Sequence, residues 1–337
     1  MRAPGFWWSV PTALPARLLA PLGRLYGGQV ARRMARPGAS APLPVICVGN
    51  VTLGGAGKTP TALALAGLLR EIGHEPAFLS RGYGGRLPGP VRVDPAQHGA
   101  AEVGDEPLLL ARAAPTIVAR DRPAGAALCA AADATAIIMD DGLQNPSLRK
   151  DWSIAVFDAG VGIGNGLAFP AGPLRAPLAA QWPHIDAVLI IGEGPAGEPV
   201  AADAVRRGLP VIRAQLRPEP GAAAALAGRP VLAFAGIGRP DKFFESLRAA
   251  GAEIRATRAF PDHHAYRAAD LAGLERLARR EGLTLVTTEK DRVRLPAAAP
   301  VTVLPVSLHF SEPDAALLRA RLAALGPAPP DPRTRPD

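Results

Sequence analysis

Leu43-Pro-Val-Ile-Cys-Val-Gly-Asn-Val-Thr-Leu-Gly-Gly-Ala-Gly-Lys-Thr-Pro60 is the stretch that decides the fold. Residues 43–48 form an apolar run of strand length. A glycine-rich turn ending in Gly57-Lys58-Thr59 follows, and Ala62-Leu-Ala-Leu-Ala-Gly-Leu-Leu69 then has the composition of a buried helix. Strand, glycine-rich turn, Lys-Thr and helix, in that order, make the setting of a phosphate-binding P-loop. Glycines let successive backbone N–H groups curl around phosphate oxygens, and the helix start adds the positive end of its dipole. Thr52, Gly54, Gly55, Ala56 and Gly57 are then the nucleotide cradle. Lys58 reaches the β- and γ-phosphates, and the Thr59 hydroxyl ligates Mg²⁺. ATP and Mg²⁺ are the expected cofactors. Thr52 stands where this pattern usually has its first glycine.

A magnesium ion needs carboxylates, and Ala136-Ile-Ile-Met-Asp-Asp-Gly-Leu-Gln144 supplies them at the end of an apolar strand. Asp140 and Asp141 are the candidate metal ligands, placed where open α/β sheets hold ligands. Strands are expected at 43–48, 76–80, 116–119, 135–140, 153–158, 186–192 and 210–216, alternating with helical stretches. That alternation predicts an α/β fold, a P-loop NTPase-type, mostly parallel sheet sandwiched by helices. Pro218-Glu-Pro-Gly-Ala-Ala-Ala-Ala-Ala225 marks a composition shift, and Val231-Leu-Ala-Phe-Ala235 opens a second, smaller α/β domain. The divisions read as 1–40, an N-terminal amphipathic helix; 41–217, the P-loop core; 218–308, the smaller domain; and 309–337, a last helix with a disordered Pro-rich tail.

The composition fits this reading. The chain has 337 residues, 48% hydrophobic and 20% charged, enough for about two domains. Its two cysteines, Cys47 and Cys129, make no disulfide framework and read as buried thiols. The formal net charge of +8 is matched by the eight cations of residues 1–70, where no acid occurs before Glu71. Basicity therefore belongs to one end and is not a nucleic-acid footprint. No nucleic-acid partner and no obligate protein partner is expected. Only four of the 38 cations are lysines, at positions 58, 150, 242 and 290, which singles out Lys58 and Lys290.

In the N-terminal segment, Leu14, Leu18, Leu22, Leu25, Tyr26, Val30 and Met34 recur at helical spacing. Arg17, Arg24, Arg32, Arg33 and Arg36 flank them, and Phe6, Trp7 and Trp8 precede them. A basic amphipathic helix with aromatic residues suits an anionic membrane surface. The same pattern also suits a helix packed on the core.

Among P-loop proteins, a partitioning or ion-pump ATPase switch acting on a protein partner is the alternative function. Its signature lysine before the paired glycines is Leu53 here. A GTPase is disfavoured because Thr288-Glu-Lys-Asp291 has one residue too many for the guanine-reading string.

Several separated motifs, in order, resemble the tetraacyldisaccharide 4′-kinase family. Besides Gly49-Asn50 and the P-loop, they are Ser80-Arg-Gly-Tyr-Gly-Gly85, Gly104-Asp-Glu-Pro107, Val118-Ala-Arg-Asp-Arg122, Asp140-Asp-Gly-Leu-Gln144 and Pro170-Ala-Gly-Pro-Leu-Arg175. Ala235-Gly-Ile-Gly-Arg-Pro240, Phe260-Pro-Asp-His-His264 and Thr287-Thr-Glu-Lys-Asp291 complete the set, which spans about residues 40–310. The resemblance implies transfer of the ATP γ-phosphoryl group to the 4′-hydroxyl of tetraacyldisaccharide 1-phosphate, giving lipid IVA. It also implies work at the cytoplasmic face of the inner membrane, with this lipid A precursor as partner. An Asp–His pair serves as base in that family, which assigns Asp105 and His263 here, with Asp262 beside them. Asp105 also reads as a helix N-cap, and His264 as the bland member of its pair. Arg81 and Tyr83 lie in a glycine-rich loop suited to substrate or to a plain hairpin. Arg120 and Arg122 are candidates for the acceptor's 1-phosphate, or for an ion pair with Asp121. Lys290 is a candidate for nucleotide, or for a pair with Glu289 or Asp291. The family often has Glu after Pro-Leu-Arg, where this chain has Ala176.

Overall fold

The computed structural model describes residues 3–9 and 13–326. The tail read as disordered lies outside the described residues from 327 onward. The larger lobe holds α1 (Leu14–Met34), β1 (Val45–Gly49), α2 (Lys58–Glu71), β2 (Pro76–Ser80), β3 (Val91–Arg92), α3 (Ala100–Val103), α4 (Asp105–Leu110) and β4 (Thr116–Val118). It continues with α5 (Arg122–Ala130), β5 (Ala136–Asp140), β6 (Trp152–Asp158), α6 (Leu178–Gln181), β7 (Ala187–Ile191), α7 (Glu198–Arg206) and β8 (Val211–Pro218). The smaller lobe holds α8 (Pro220–Leu226), β9 (Pro230–Ala235), α9 (Pro240–Ala249), β10 (Glu253–Ala259), α10 (Ala268–Glu281), β11 (Thr284–Thr287), α11 (Glu289–Arg292) and β12 (Thr302–Val303). Then β13 (Val306–Phe310) and α12 (Glu312–Ala323) return to the larger lobe.

The large sheet has the order β13-β8-β7-β6-β1-β5-β2-β4-β3, and the small one β10-β9-β11-β12. The inner strands of the large sheet are parallel, and both edge pairs, β13 with β8 and β3 with β4, are antiparallel. Strands β1, β2, β5, β6 and β7 are buried at every position. This is why they read as unbroken apolar runs: a parallel sheet is covered by helices on both faces. One covering layer joins Leu65 and Leu69 of α2 to Ile46, Ile138, Ile154 and Leu189 of the sheet, and to Leu318 and Leu322 of α12.

The division drawn at residue 308 needs correction, because it falls inside β13. That strand pairs with β8, from Val306 opposite Pro218 to Phe310 opposite Ala214. The chain therefore crosses between lobes twice.

Helix α1 divides its faces. Ala16, Gly23, Gly27 and Met34 are buried, while Leu14, Leu18, Leu22, Leu25 and Tyr26 are exposed. A methyl group on Gly23 would meet the Ala168 carbonyl at 2.6 Å, and one on Gly27 would meet Pro177 Cδ at 2.9 Å. Glycine thus lets α1 lie directly on the 168–177 loop. Met34 belongs to the packed side and not to the exposed stripe. Trp7 is also turned inward, donating its Nε1–H to the Pro170 carbonyl at 3.1 Å. No described helix is long and apolar enough to cross a membrane.

Candidate active site

Register builds the first half of the site. Val48 of β1 lies opposite Asp140 of β5, so the P-loop and the acidic strand end emerge side by side. Gly54 and Gly57 have φ of 110° and 95°, the left-handed region that glycine enters without strain. Gly57 caps α2, which begins at Lys58. Lys58 Nζ donates to Asn50 Oδ1 at 3.2 Å and lies 3.8 Å from Asp141 Oδ1. Arg175 clamps the Asp141 carboxylate, with Nη1 at 2.9 Å and Nη2 at 3.0 Å from its two oxygens, and donates Nε–H to the Thr52 carbonyl at 3.0 Å. Thr59 is buried at the same helix start.

Asp140 and Asp141 are adjacent but unequal. Burial works to raise the Asp141 carboxyl, yet Lys58 and Arg175 outweigh it and hold it below the ordinary carboxylate range. Asp140 is fully enclosed, and neither of its carboxylate oxygens has a hydrogen-bond partner. Burial, with Glu106 and Asp141 nearby, pushes its pKa up to about 7. A buried carboxylate without a partner is costly unless something positive meets it. That donor set, two carboxylates and a threonine hydroxyl, fits a hard divalent cation completed by phosphate oxygens and water. No three His, Cys, Asp or Glu side chains among the described residues are placed to hold a metal ion by themselves, so phosphate and water oxygens would have to complete the shell. Ala176 is buried, and its carbonyl accepts from Gln181 Nε2 at 2.7 Å, so no third carboxylate enters from that position.

The second half joins the two lobes. Asp105 opens α4 in the larger lobe and is 4% exposed. His263 comes from the smaller lobe, and its Nδ1 lies 3.0 Å from Asp105 Oδ2. The His263 backbone is left-handed, with φ of 56°, and its N–H donates to the Gly236 carbonyl and to Asp262 Oδ1, each at 3.1 Å. Those bonds aim the ring across the cleft. Burial works to raise the Asp105 carboxyl, but His263, Lys290 and Arg294 outweigh it and hold it well below the ordinary carboxylate range. Lys290 Nζ donates to Glu106 Oε1 at 2.9 Å and sits 3.5 Å from His263 Nε2. Burial lowers the Lys290 pKa, and Glu106 and Asp105 more than reverse that. The turn before α9 closes over the P-loop: a methyl group on Gly238 would lie 3.3 Å from Asp262 Oδ2 and 3.5 Å from the Gly55 nitrogen.

The structure thus gathers Lys58, Thr59, Asp140 and Asp141 on one side and Asp105, Asp262, His263 and Lys290 on the other. Lys290 pairs with Glu106, not with Glu289 or Asp291. Tyr83 is 67% exposed and stands edge-on to His263, with ring centroids 5.3 Å apart. Arg81 and Arg120 are exposed. Arg122 is not presented to the cleft. It is 1% exposed and donates Nη1–H to the Ala119 carbonyl at 2.9 Å, and burial pushes its pKa down to about 10 against the opposing charge of Asp140. His264 is tied to Asp270 at 3.1 Å and stacked on Phe260, away from the pair. Sequence reasoning missed Asn50, Glu106, Arg175 and Arg294 as site residues. Asn50, Glu106 and Arg175 stand inside quoted motifs. Arg294 has no such signal.

The match to the family model for tetraacyldisaccharide-1-P 4′-kinase runs over residues 15–324. A tetraacyldisaccharide 4′-kinase from Methylobacterium sp. (strain 4-46) is 78% identical over 325 residues, covering 96% of this chain and 98% of that relative. One from Bradyrhizobium sp. (strain ORS 278) is 56% identical over 333 residues, covering 96% of this chain and 99% of the relative. The crystal structure of LpxK from Aquifex aeolicus in complex with ATP superposes with a TM-score of 0.71 at 25% identity, covering 91% of this chain and 99% of that one. With fold and relatives in agreement over nearly its whole length, this chain belongs to the tetraacyldisaccharide-1-P 4′-kinase family.

Proposed function

We propose that this chain transfers the γ-phosphoryl group of ATP to the 4′-hydroxyl of tetraacyldisaccharide 1-phosphate, a step of lipid A biosynthesis that yields lipid IVA. The observation that carries the reading is the cleft itself, where the P-loop faces His263 of the opposite lobe, paired at 3.0 Å with Asp105 of its own. An ATPase switch has no need of a proton acceptor for an added alcohol.

Phosphoryl transfer asks for charge neutralisation and an oriented nucleophile. Lys58 and the loop amides neutralise the β- and γ-phosphates. Thr59, Asp140 and Asp141 would hold Mg²⁺, which when bound neutralises charge on the phosphates. Asp105 keeps the proton on His263 Nδ1, which leaves Nε2 to take the proton of the acceptor hydroxyl. Lys290, beside Nε2, meets the charge that forms on the acceptor oxygen or the arriving phosphoryl. Arg81, Arg120 and Tyr83 rim the acceptor side. The exposed leucines and flanking arginines of α1 would hold the enzyme on an anionic membrane, at the cytoplasmic face where ATP is available.

The test is ATP turnover by purified protein in detergent, with and without tetraacyldisaccharide 1-phosphate, following label into lipid. Label at the 4′ position that depends on the acceptor is the expected result. Hydrolysis indifferent to acceptor, with no labelled lipid, would establish the switch instead.

A further inference from the structure

Arg294 is a buried cation that no motif announces. Its side chain is 5% exposed, and every nitrogen is engaged. Nε donates to Asp105 Oδ2 at 2.8 Å, and Nη2 donates to the same oxygen. Nη1 donates to Asp291 Oδ1 at 3.0 Å and to the Gly236 carbonyl at 2.8 Å. Asp291 is itself enclosed and accepts from the Gly236 N–H at 2.9 Å and the Tyr266 hydroxyl at 2.8 Å. The guanidinium is therefore fixed in the smaller lobe and grips a carboxylate of the larger one. It does so on the oxygen that also holds His263 Nδ1. Gly236, whose carbonyl accepts from Arg294, accepts from the His263 N–H as well.

We infer that Arg294 is a positioning residue for phosphoryl transfer: it holds Asp105 ionised and in place, so that His263 keeps its proton on Nδ1 and turns Nε2 to the acceptor. The inference rests on the reading of Asp105 and His263 as the proton-accepting pair. Because Arg294 and His263 share both Asp105 and Gly236, the base is in register only when the lobes are docked. The charged and titratable groups facing His263 are Asp105 at Nδ1, Asp262 with Oδ1 3.9 Å from Nε2, Lys290 at 3.5 Å, and Arg294 behind Asp105. Tyr83 lies on the ring edge, and Glu106 acts through Lys290. Removing the Arg294 charge leaves Asp105 less neutralised. The Asp105–His263 pair then keeps a proton to higher pH.

The experiment compares Arg294→Gln, Arg294→Lys, His263→Ala and wild type for kcat, both KM values and the pH profile of kcat/KM. Arg294→Gln is expected to lower kcat about 10- to 100-fold with ATP KM within about twofold, and to move the acid limb up by about one pH unit. Arg294→Lys keeps the charge but not the fork, and is expected to lose kcat about tenfold while leaving the limb in place. Should the Gln variant fail to fold, the Lys variant decides: unchanged kcat overturns the inference. A Gln variant with an unmoved limb, or with kcat unchanged, also overturns it and leaves Arg294 a structural tie. His263→Ala separates the two levels. Full turnover in that variant removes the proton-accepting pair itself, whereas an inactive His263→Ala beside an unaffected Arg294→Gln removes only the role of Arg294.

Discussion

Lys58 shows how much of this site a single position carries. Its side chain is one-tenth exposed, and its ammonium is steadied by Asn50 and faces Asp141 where the phosphates would lie. A fixed cation in an enclosed site stabilises developing charge without reorganising. Lys58→Ala should therefore lower kcat by about 10²-fold or more, with a melting temperature close to wild type because Arg175 still clamps Asp141. Steady-state kinetics beside a thermal melt check this, and a kcat within a few-fold of wild type would take Lys58 out of the transition state. Lys58, Thr59, Asp140 and Asp141 were legible in the sequence because each is defined by its immediate neighbours: a turn, a helix start, a strand end. Arg294 was not, because its meaning lies in a partner 189 residues away and nothing in the local string Asp291-Arg-Val-Arg294 announces it. Arg122 misled for the same reason. An arginine at a helix start reads as exposed, and only the tertiary packing encloses it.

Elements were more legible than side-chain partners. The parallel strands of the large sheet announced themselves because burial on both faces demands continuous apolar runs, whereas β10, largely exposed in the small sheet, did not. What escaped were the antiparallel edges, β3 with two residues and β13, whose pairing with β8 is set by a chain return and not by local pattern. Helix α1 was legible as amphipathic, but the sequence could not say which side packs. Its glycines rest on the 168–177 loop, which leaves Leu18 and Leu25 at 71% and 73% exposure on the far side. If that far side lies on lipid, each leucine contributes about 1.5–3 kcal/mol when buried there. Leu18→Asp with Leu25→Asp should then weaken binding to anionic vesicles at least about tenfold while leaving the melting temperature within a degree or so. Vesicle co-sedimentation and a melt test this together. Unchanged binding would sink the membrane role, and a large loss of stability would mean that the face packs on protein.

At the scale of the molecule, the lobes meet through ion pairs of one polarity. Asp105, Glu106 and Asp158 belong to the larger lobe, and Arg294, Lys290, Arg239 and Lys242 to the smaller. The Asp158 tie uses none of the residues assigned to the proposed chemistry; it sits at the end of β6, where its carboxylate meets Arg239 Nη1 at 2.6 Å and Lys242 Nζ. Burial works to raise the Asp158 carboxyl, but Lys242 and Arg239 outweigh it and hold it below the ordinary range. A carboxyl whose folded pKa lies below its unfolded one contributes stability above the unfolded value, near pH 4, and loses it as pH falls through the folded one. Asp158→Asn should therefore be less stable than wild type at pH 7, and the difference should persist down to about pH 4 and close below it. The expected difference is about 1–3 kcal/mol, toward the lower end because Arg239 and Lys242 are about a third exposed and regain water when released. Urea unfolding of both proteins from pH 7 to pH 2.5 measures it. A gap that stays constant into strong acid would show that Asp158 acts by packing alone. No gap at pH 7 would show that the lobes are held by Asp105, Glu106 and the two chain crossings without it.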